Sequence, residues 1–164
     1  MLKQKQFHSN KGVFGLLLAL SILLAACGGA PNIDWELSID GAVTTPIVFT
    51  YEELAELPML DLNEILMEKS RGEDEFRSFS GVELSLLLEQ AGAADDFSSI
   101  TAYAADGYAI EITVDEMIDG IVALKDNDDW IVKSDPDAGP IRLVFPKTPA
   151  NRWVFQVTEI IVNP

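Results

Sequence analysis

The chain has 164 residues, with 11 Lys and Arg against 27 Asp and Glu, one His, one Cys and 48% hydrophobic residues. That apolar content at a net charge of −16 describes a folded acidic globule rather than a disordered polyanion, and the length suits one domain. A negative surface repels phosphate backbones, which argues against a nucleic-acid partner.

The first element in chain order is a leader. Lys3, Lys5 and Lys11 occur with no acid before Asp34, and an apolar run fills Val13 to Ala26. A bilayer span needs about 20 apolar residues. This run is shorter and suits a signal-peptide core. It ends Leu24-Ala25-Ala26-Cys27-Gly28-Gly29, which resembles the bacterial lipoprotein lipobox, whose Cys becomes the acylated first residue. The resemblance implies a signal peptide over 1–26, acylated Cys27 with a short linker over 27–32, and a domain over 33–164. It also implies an extracytoplasmic protein held to the bacterial cell membrane by its lipid anchor.

Without residues 1–26 the chain keeps eight bases against 27 acids, a charge of −19, and it loses His8. With Cys27 acylated it has neither imidazole nor free thiol. Ser-His-Asp and Cys-His catalysis, thiolate or imidazole zinc sites and His or Cys haem ligation are then all excluded. Only oxygen ligands remain, a set that suits Ca²⁺ or Mg²⁺. The domain is expected to ride close to the membrane, repelled by anionic headgroups.

Trp35, Leu37 and Ile39 alternate with polar residues and predict a half-buried strand closed by Gly41. Ile47-Val48-Phe49 predicts a second strand. Thr50 with Glu53 is a capping box opening a short helix that stops at Pro58. Leu60, Leu62 and Ile65 mark an extended segment of open register, and Arg71-Gly72-Glu73-Asp74 a turn before a return strand with Phe76 and Phe79. Gly81 to Gly92 reads as a helix with Leu84, Leu87 and Leu88 on one face. Strands are expected at Ile100 to Ala104 and Tyr108 to Thr113. Thr113 with Glu116 makes a second capping box, predicting a helical turn or two over Val114 to Ile118. Ile121 to Leu124 is expected to pair with Trp130 to Val132. Strands at Ile141 to Phe145 and, unbroken, Trp153 to Val162 complete the chain. Many strands with a few short helices predict an α+β fold.

Five phrases in order carry a family resemblance: Trp35 to Gly41; Thr50 to Leu54 before Leu57-Pro58; Phe79-Ser80-Gly81-Val82-Glu83-Leu84 with Ala91-Gly92; Ala105-Asp106-Gly107-Tyr108; and Gly139 to Pro146 followed by Arg152-Trp153. The sequence resembles the oxidoreductase molybdopterin-binding domain, the sulfite oxidase-like fold, in a small form. The resemblance implies a mixed β-rich fold and a molybdenum atom chelated by a pterin dithiolene and one protein Cys. That Cys belongs on the extended segment before the Gly-Val-x-Leu helix. Here Leu62 to Ser70 contains none. Ser70 could stand in as an oxygen ligand, but an exposed turn serine is the favoured reading. The bases Lys69, Arg71, Arg77, Lys125, Lys133, Arg142, Lys147 and Arg152 look scattered for a phosphate cradle. No cofactor is therefore expected, molybdopterin standing on the resemblance alone.

The candidate ligand pocket consists of Asp106, Gly107, Tyr108, Arg142, Arg152 and Trp153. Asp106-Gly107-Tyr108 sits at a cleft by resemblance, or is simply a hairpin turn, the favoured reading. Arg142 lies in an apolar strand and needs a carboxylate or a bound anion; an ion pair is favoured. Arg152-Trp153 forms an anion or stacking site, or pairs a loop Arg with a core Trp. Lys125 to Asp129, Asp135-Pro136-Asp137 and Glu73-Asp74-Glu75 lack the Gly and Glu positions of a Ca²⁺-binding EF-hand loop and read as solvated acidic turns. No catalytic or metal-ligating residue is assigned. The leading expectation is a surface lipoprotein that has lost molybdenum ligation and binds an unidentified small molecule or protein. The alternatives are an active molybdopterin-dependent oxidoreductase with a non-Cys or open ligand, and an acidic protein responsive to divalent cations.

Overall fold

The computed structural model describes residues 29–164. The expected leader, with His8, and the expected lipidation site Cys27 lie outside the described residues. β1 (Glu36–Gly41) buries Leu37 and Ile39 and pairs antiparallel with β2 (Ile47–Thr50). Thr50 then caps α1 (Tyr51–Glu56): its hydroxyl accepts from the Glu53 N–H at 3.2 Å, and the Glu53 carboxylate accepts from the Thr50 N–H at 2.8 Å. Both halves of the expected capping box are formed.

β3 (Leu60–Met67) and β4 (Glu75–Glu83) make a hairpin. A bulge between Leu62 and Ile65, with Glu64 at φ 50°, shifts its register, which is why alternation alone left that register open. α2 (Leu84–Ala91) starts later than expected, because Gly81 to Glu83 still belong to β4. A Cβ at Gly81 would overlap the Val122 carbonyl oxygen, so glycine here serves close strand packing rather than helix entry. Gly92 ends α2 in the left-handed conformation at φ 68°.

β5 (Ser99–Ala104) and β6 (Ala109–Thr113) form the next hairpin. Val114 to Ile118 are hydrogen-bonded turns, not regular helix. Only half of the second capping box forms: the Glu116 carboxylate accepts from the Thr113 N–H at 2.9 Å, but the Glu116 N–H donates to the Thr113 carbonyl instead of its hydroxyl. β7 (Ile121–Asp126) turns through Asn127 and Asp128, both at positive φ, into β8 (Asp129–Trp130). Of the expected Trp130 to Val132 strand only Trp130 pairs; Ile131 and Val132 enter α3 (Ile131–Ser134), closed by the Asp135 N–H on the Ile131 carbonyl.

After β9 (Arg142–Val144), the long terminal strand is broken in two. β10 (Val154–Phe155) pairs with β9 in one sheet, and β11 (Val157–Asn163) pairs with β1 and β5 in the other. Gln156, at φ 51°, makes the crossing. Its N–H donates to the Ile141 carbonyl and its carbonyl accepts from the Ala105 N–H, so both backbone groups stay satisfied where the chain changes sheet.

The sheets run β2-β1-β11-β5-β6 and β10-β9-β7-β4-β3, with β8 beside β7. Only β1 and β11 are parallel among the paired strands. Leu37, Ile39, Ile100 and Ile160 from the first sheet share one core with Phe79, Val82, Leu124 and Val154 from the second. Each such buried side chain contributes about 1.5–3 kcal/mol, so the core holds the two sheets together without a disulfide. The architecture is strand-rich, with two sheets and a few short helices.

Candidate functional site

Three separate stretches meet at one cleft. The Ala150 N–H donates to the Glu68 carbonyl at 2.9 Å, fastening the end of the β3–β4 hairpin to the 3₁₀ turn Ala150–Arg152. Trp153 follows, 3% exposed, its indole N–H donating to the Phe145 carbonyl at 3.0 Å and its ring edge-on to Phe79 at 5.6 Å. The β5–β6 turn is set by Gly107 at φ 87° and by the Asp106 carboxylate, which accepts from the Tyr108 N–H at 2.8 Å. Between them lies a cleft of about 410 Å³ lined by Met67, Lys69, Ser70, Arg71, Ala104, Asp106, Tyr108, Ala150, Asn151, Trp153 and Phe155.

Asp106, Tyr108 and Trp153 therefore come together from distant points in the chain. Asp106-Gly107-Tyr108 is both a hairpin turn and an edge of the cleft, so the two readings offered for it coexist. Gly107 shapes the turn without lining the cleft.

Arg142 and Arg152 do not line it. Arg142, 2% exposed, lies against the Phe155 ring at 4.2 Å and the Phe79 ring at 5.4 Å. Its guanidinium faces Asp126 at 3.8 Å and Asp135 at 3.4 Å. Burial pushes its pKa down, while Asp126 and Asp135 oppose that. Arg152 grips Glu116 through Nε at 2.7 Å and Nη2 at 2.9 Å, and Nη2 also donates to the Glu111 carbonyl. The hydrogen bond from Arg152 first, then that from the Thr113 N–H, lowers the Glu116 carboxyl to about 2. Arg152 thus fixes the 114–118 turn rather than a ligand.

Within the acidic turns Glu73, Asp74, Asp128, Asp129 and Asp137 are exposed, and Asp126 is the buried exception. Asp126 is 4% exposed and accepts from Arg77 Nη1 at 2.9 Å. Glu75 takes Arg77 Nε at 3.0 Å and Lys69 Nζ at 2.8 Å. The arginines that an apolar surrounding forces to find carboxylates account for this.

Sequence reasoning did not place Met67, Asn151 and Phe155 at the site. It treated Lys69 and Arg71 as scattered, and Ser70 as a turn residue. The signal was the short polar tip of the hairpin, but only the Ala150–Glu68 backbone bond shows where that tip is held. Among the described residues there is no Cys or His, and no group of three or more Asp and Glu placed to hold a metal ion. Among the same residues no helix is long and apolar enough to cross a membrane.

The sequence model for a family described as oxidoreductase molybdopterin binding domain matches residues 27–164. The structure is similar to the crystal structure of the sulfane dehydrogenase SoxCD from Paracoccus pantotrophus, with a TM-score of 0.71 and 24% identity over 83% of this chain. At that identity the likeness is one of fold, and the chain spans 40% of that protein's length. Comparison with curated protein sequences found no match.

Proposed function

The chain belongs to the oxidoreductase molybdopterin binding domain family, and we propose that within it this protein is a lipid-anchored, extracytoplasmic binding module that works without molybdenum ligation. Its fold is read as the α+β, sulfite oxidase-like form.

One observation carries the reading. The β3–β4 hairpin, where the resemblance places the ligating thiolate, offers the cleft Met67, Lys69, Ser70 and Arg71. A dithiolene-bound molybdenum calls for soft thiolate, whereas these side chains are a thioether, a hydroxyl and two cations. The cations are also a poor phosphate cradle: Lys69 is already held by Glu75 at 2.8 Å, and Asp106 adds negative charge to the same cleft. The residues present do not fit the group. What they do fit is a small organic ligand with a planar part against Tyr108 or Phe155, and polar groups facing Arg71, Asn151 and Asp106.

The lipidation half of the proposal rests on Cys27 in its lipobox-like setting after the apolar run. Ala30, Pro31 and Asn32 share a small surface depression with Glu52, Ala55 and Glu56 of α1. An anchor at Cys27 would bring this acidic helix towards the bilayer, which matches a protein standing off anionic headgroups.

The test is elemental analysis with intact mass spectrometry on protein made in a molybdopterin-competent host. The expected result is a chain beginning at an acylated Cys27 and carrying neither molybdenum nor pterin. One molybdenum per chain would overturn the reading. It would favour an oxidoreductase with a non-Cys ligand, for which Ser70 on the cleft is the available candidate.

A further inference from the structure

A second concavity, sharing no residue with the cleft, lies between α2 and the turns that follow β6. It measures about 450 Å³. Leu88, Phe97, Val114, Met117 and Ile118 supply its apolar surface, and Val114 and Ile118 stay 42% and 46% exposed although they are large and aliphatic. Four carboxylates, Glu83, Glu89, Asp95 and Asp119, surround them. Asp119 is held by Lys147 at 2.8 Å; the other three have no ion-pair partner among the described residues. The start of α2 opens onto the same groove without a side-chain cap, but a helix end supplies only about half a positive charge. Three uncompensated carboxylates outweigh it.

We propose that this groove docks a short peptide segment of a partner protein that combines large apolar side chains with lysine or arginine. Apolar side chains of the segment would cover Val114, Met117 and Ile118, which removes their exposed surface from water. Its cations would face Glu83, Glu89 and Asp95 at the rim, where charges steer association and exclude acidic competitors. The volume accommodates a few side chains, so the segment reads as an extended motif rather than a folded domain.

The probe is a fluorescein-labelled hexapeptide, Lys-Leu-Lys-Phe-Leu-Lys, titrated against the full chain in phosphatidylcholine nanodiscs, with empty nanodiscs as the blank. Saturable binding is expected to be at least tenfold tighter than for Glu-Leu-Glu-Phe-Leu-Glu or Lys-Ser-Lys-Ser-Ser-Lys, and to weaken with salt. Ile118→Ser and Glu89→Lys, both at exposed positions, are each expected to weaken it at least fivefold while leaving Tm unchanged. Absent binding, equal binding of the acidic or the serine peptide, or unchanged affinity in both variants would overturn the proposal. So would benzyltriethylammonium binding as tightly as the peptide, because the groove would then be a site for small cations.

Discussion

Arg142 is a cation at 2% exposure, lying on Phe155 and Phe79 with Asp126 and Asp135 as its acids. Asp126 is equally buried, so removing the arginine leaves a desolvated carboxylate served only by Arg77. Breaking a buried pair on one side costs about 3–5 kcal/mol, whereas an exposed partner contributes about 0–1 kcal/mol. Arg142→Ala is therefore expected to lower unfolding stability by about 3 kcal/mol. Asp135→Ala is expected to lower it by less than about 1 kcal/mol, since Asp135 is substantially exposed. Urea titrations of both variants check the contrast. Glu116 gives a pH prediction of defined sign. Its folded pKa is about 2 against an ordinary value of 4.5, a depressed carboxyl. Its contribution is complete above pH 4.5 and is lost as pH falls through that window to about 2. Glu116→Gln is expected to melt below the parent at pH 7, with the difference closing across that same window in thermal scans.

At the scale of elements, Gly81 separates what the sequence discloses from what it withholds. Capping at Thr50, the left-handed Gly92 and the Asp106-Gly107 turn were legible because each depends on side chains within a few residues. Gly81 looked like a helix start because glycine before a leucine periodicity suits one. Its actual constraint comes from β7, some forty residues away in the chain. A methyl group at Gly81 would meet backbone of Val122 and Ala123, which cannot swing aside as a flexible side chain would. Gly81→Ala is thus expected to cost about 3 kcal/mol, seen as a lower denaturation midpoint with an unchanged m-value. The same limit hid the break at Gln156. Trp153 to Val162 is β-branched or aromatic at every position but Gln156 and Glu159, and reads as one strand. The crossing between sheets is fixed by the Ile141 carbonyl and the Ala105 N–H, and neither leaves a local trace.

The cleft and the charge belong to the whole molecule. Asp106, Tyr108 and Trp153 could be named from the sequence through family resemblance, yet their meeting with Lys69, Ser70 and Arg71 depends on how two sheets bring a hairpin tip and a 3₁₀ turn together. Net charge, by contrast, is readable without any structure, and its consequence can be worked out. Eight bases face 27 acids over the described residues. Five of those bases, Lys69, Arg77, Arg142, Lys147 and Arg152, are paired within the fold. Most carboxylates thus have no cation nearby and repel one another, which disfavours the compact state. Screening shortens that repulsion to about 10 Å at 0.1 M salt and about 3 Å at 1 M. Each 1 kcal/mol so relieved raises Tm by about 4 °C at this size. Monovalent salt is therefore expected to raise Tm by several degrees. Ca²⁺ at matched ionic strength is expected to add nothing further. A built Ca²⁺ site needs about six to eight oxygen ligands, whereas Asp126 and Asp135, the acids of the most suggestive turns, already face Arg77 and Arg142. Melting curves in NaCl and CaCl₂ at equal ionic strength decide it: a Ca²⁺ gain well beyond the NaCl gain would mean selective cation binding rather than screening.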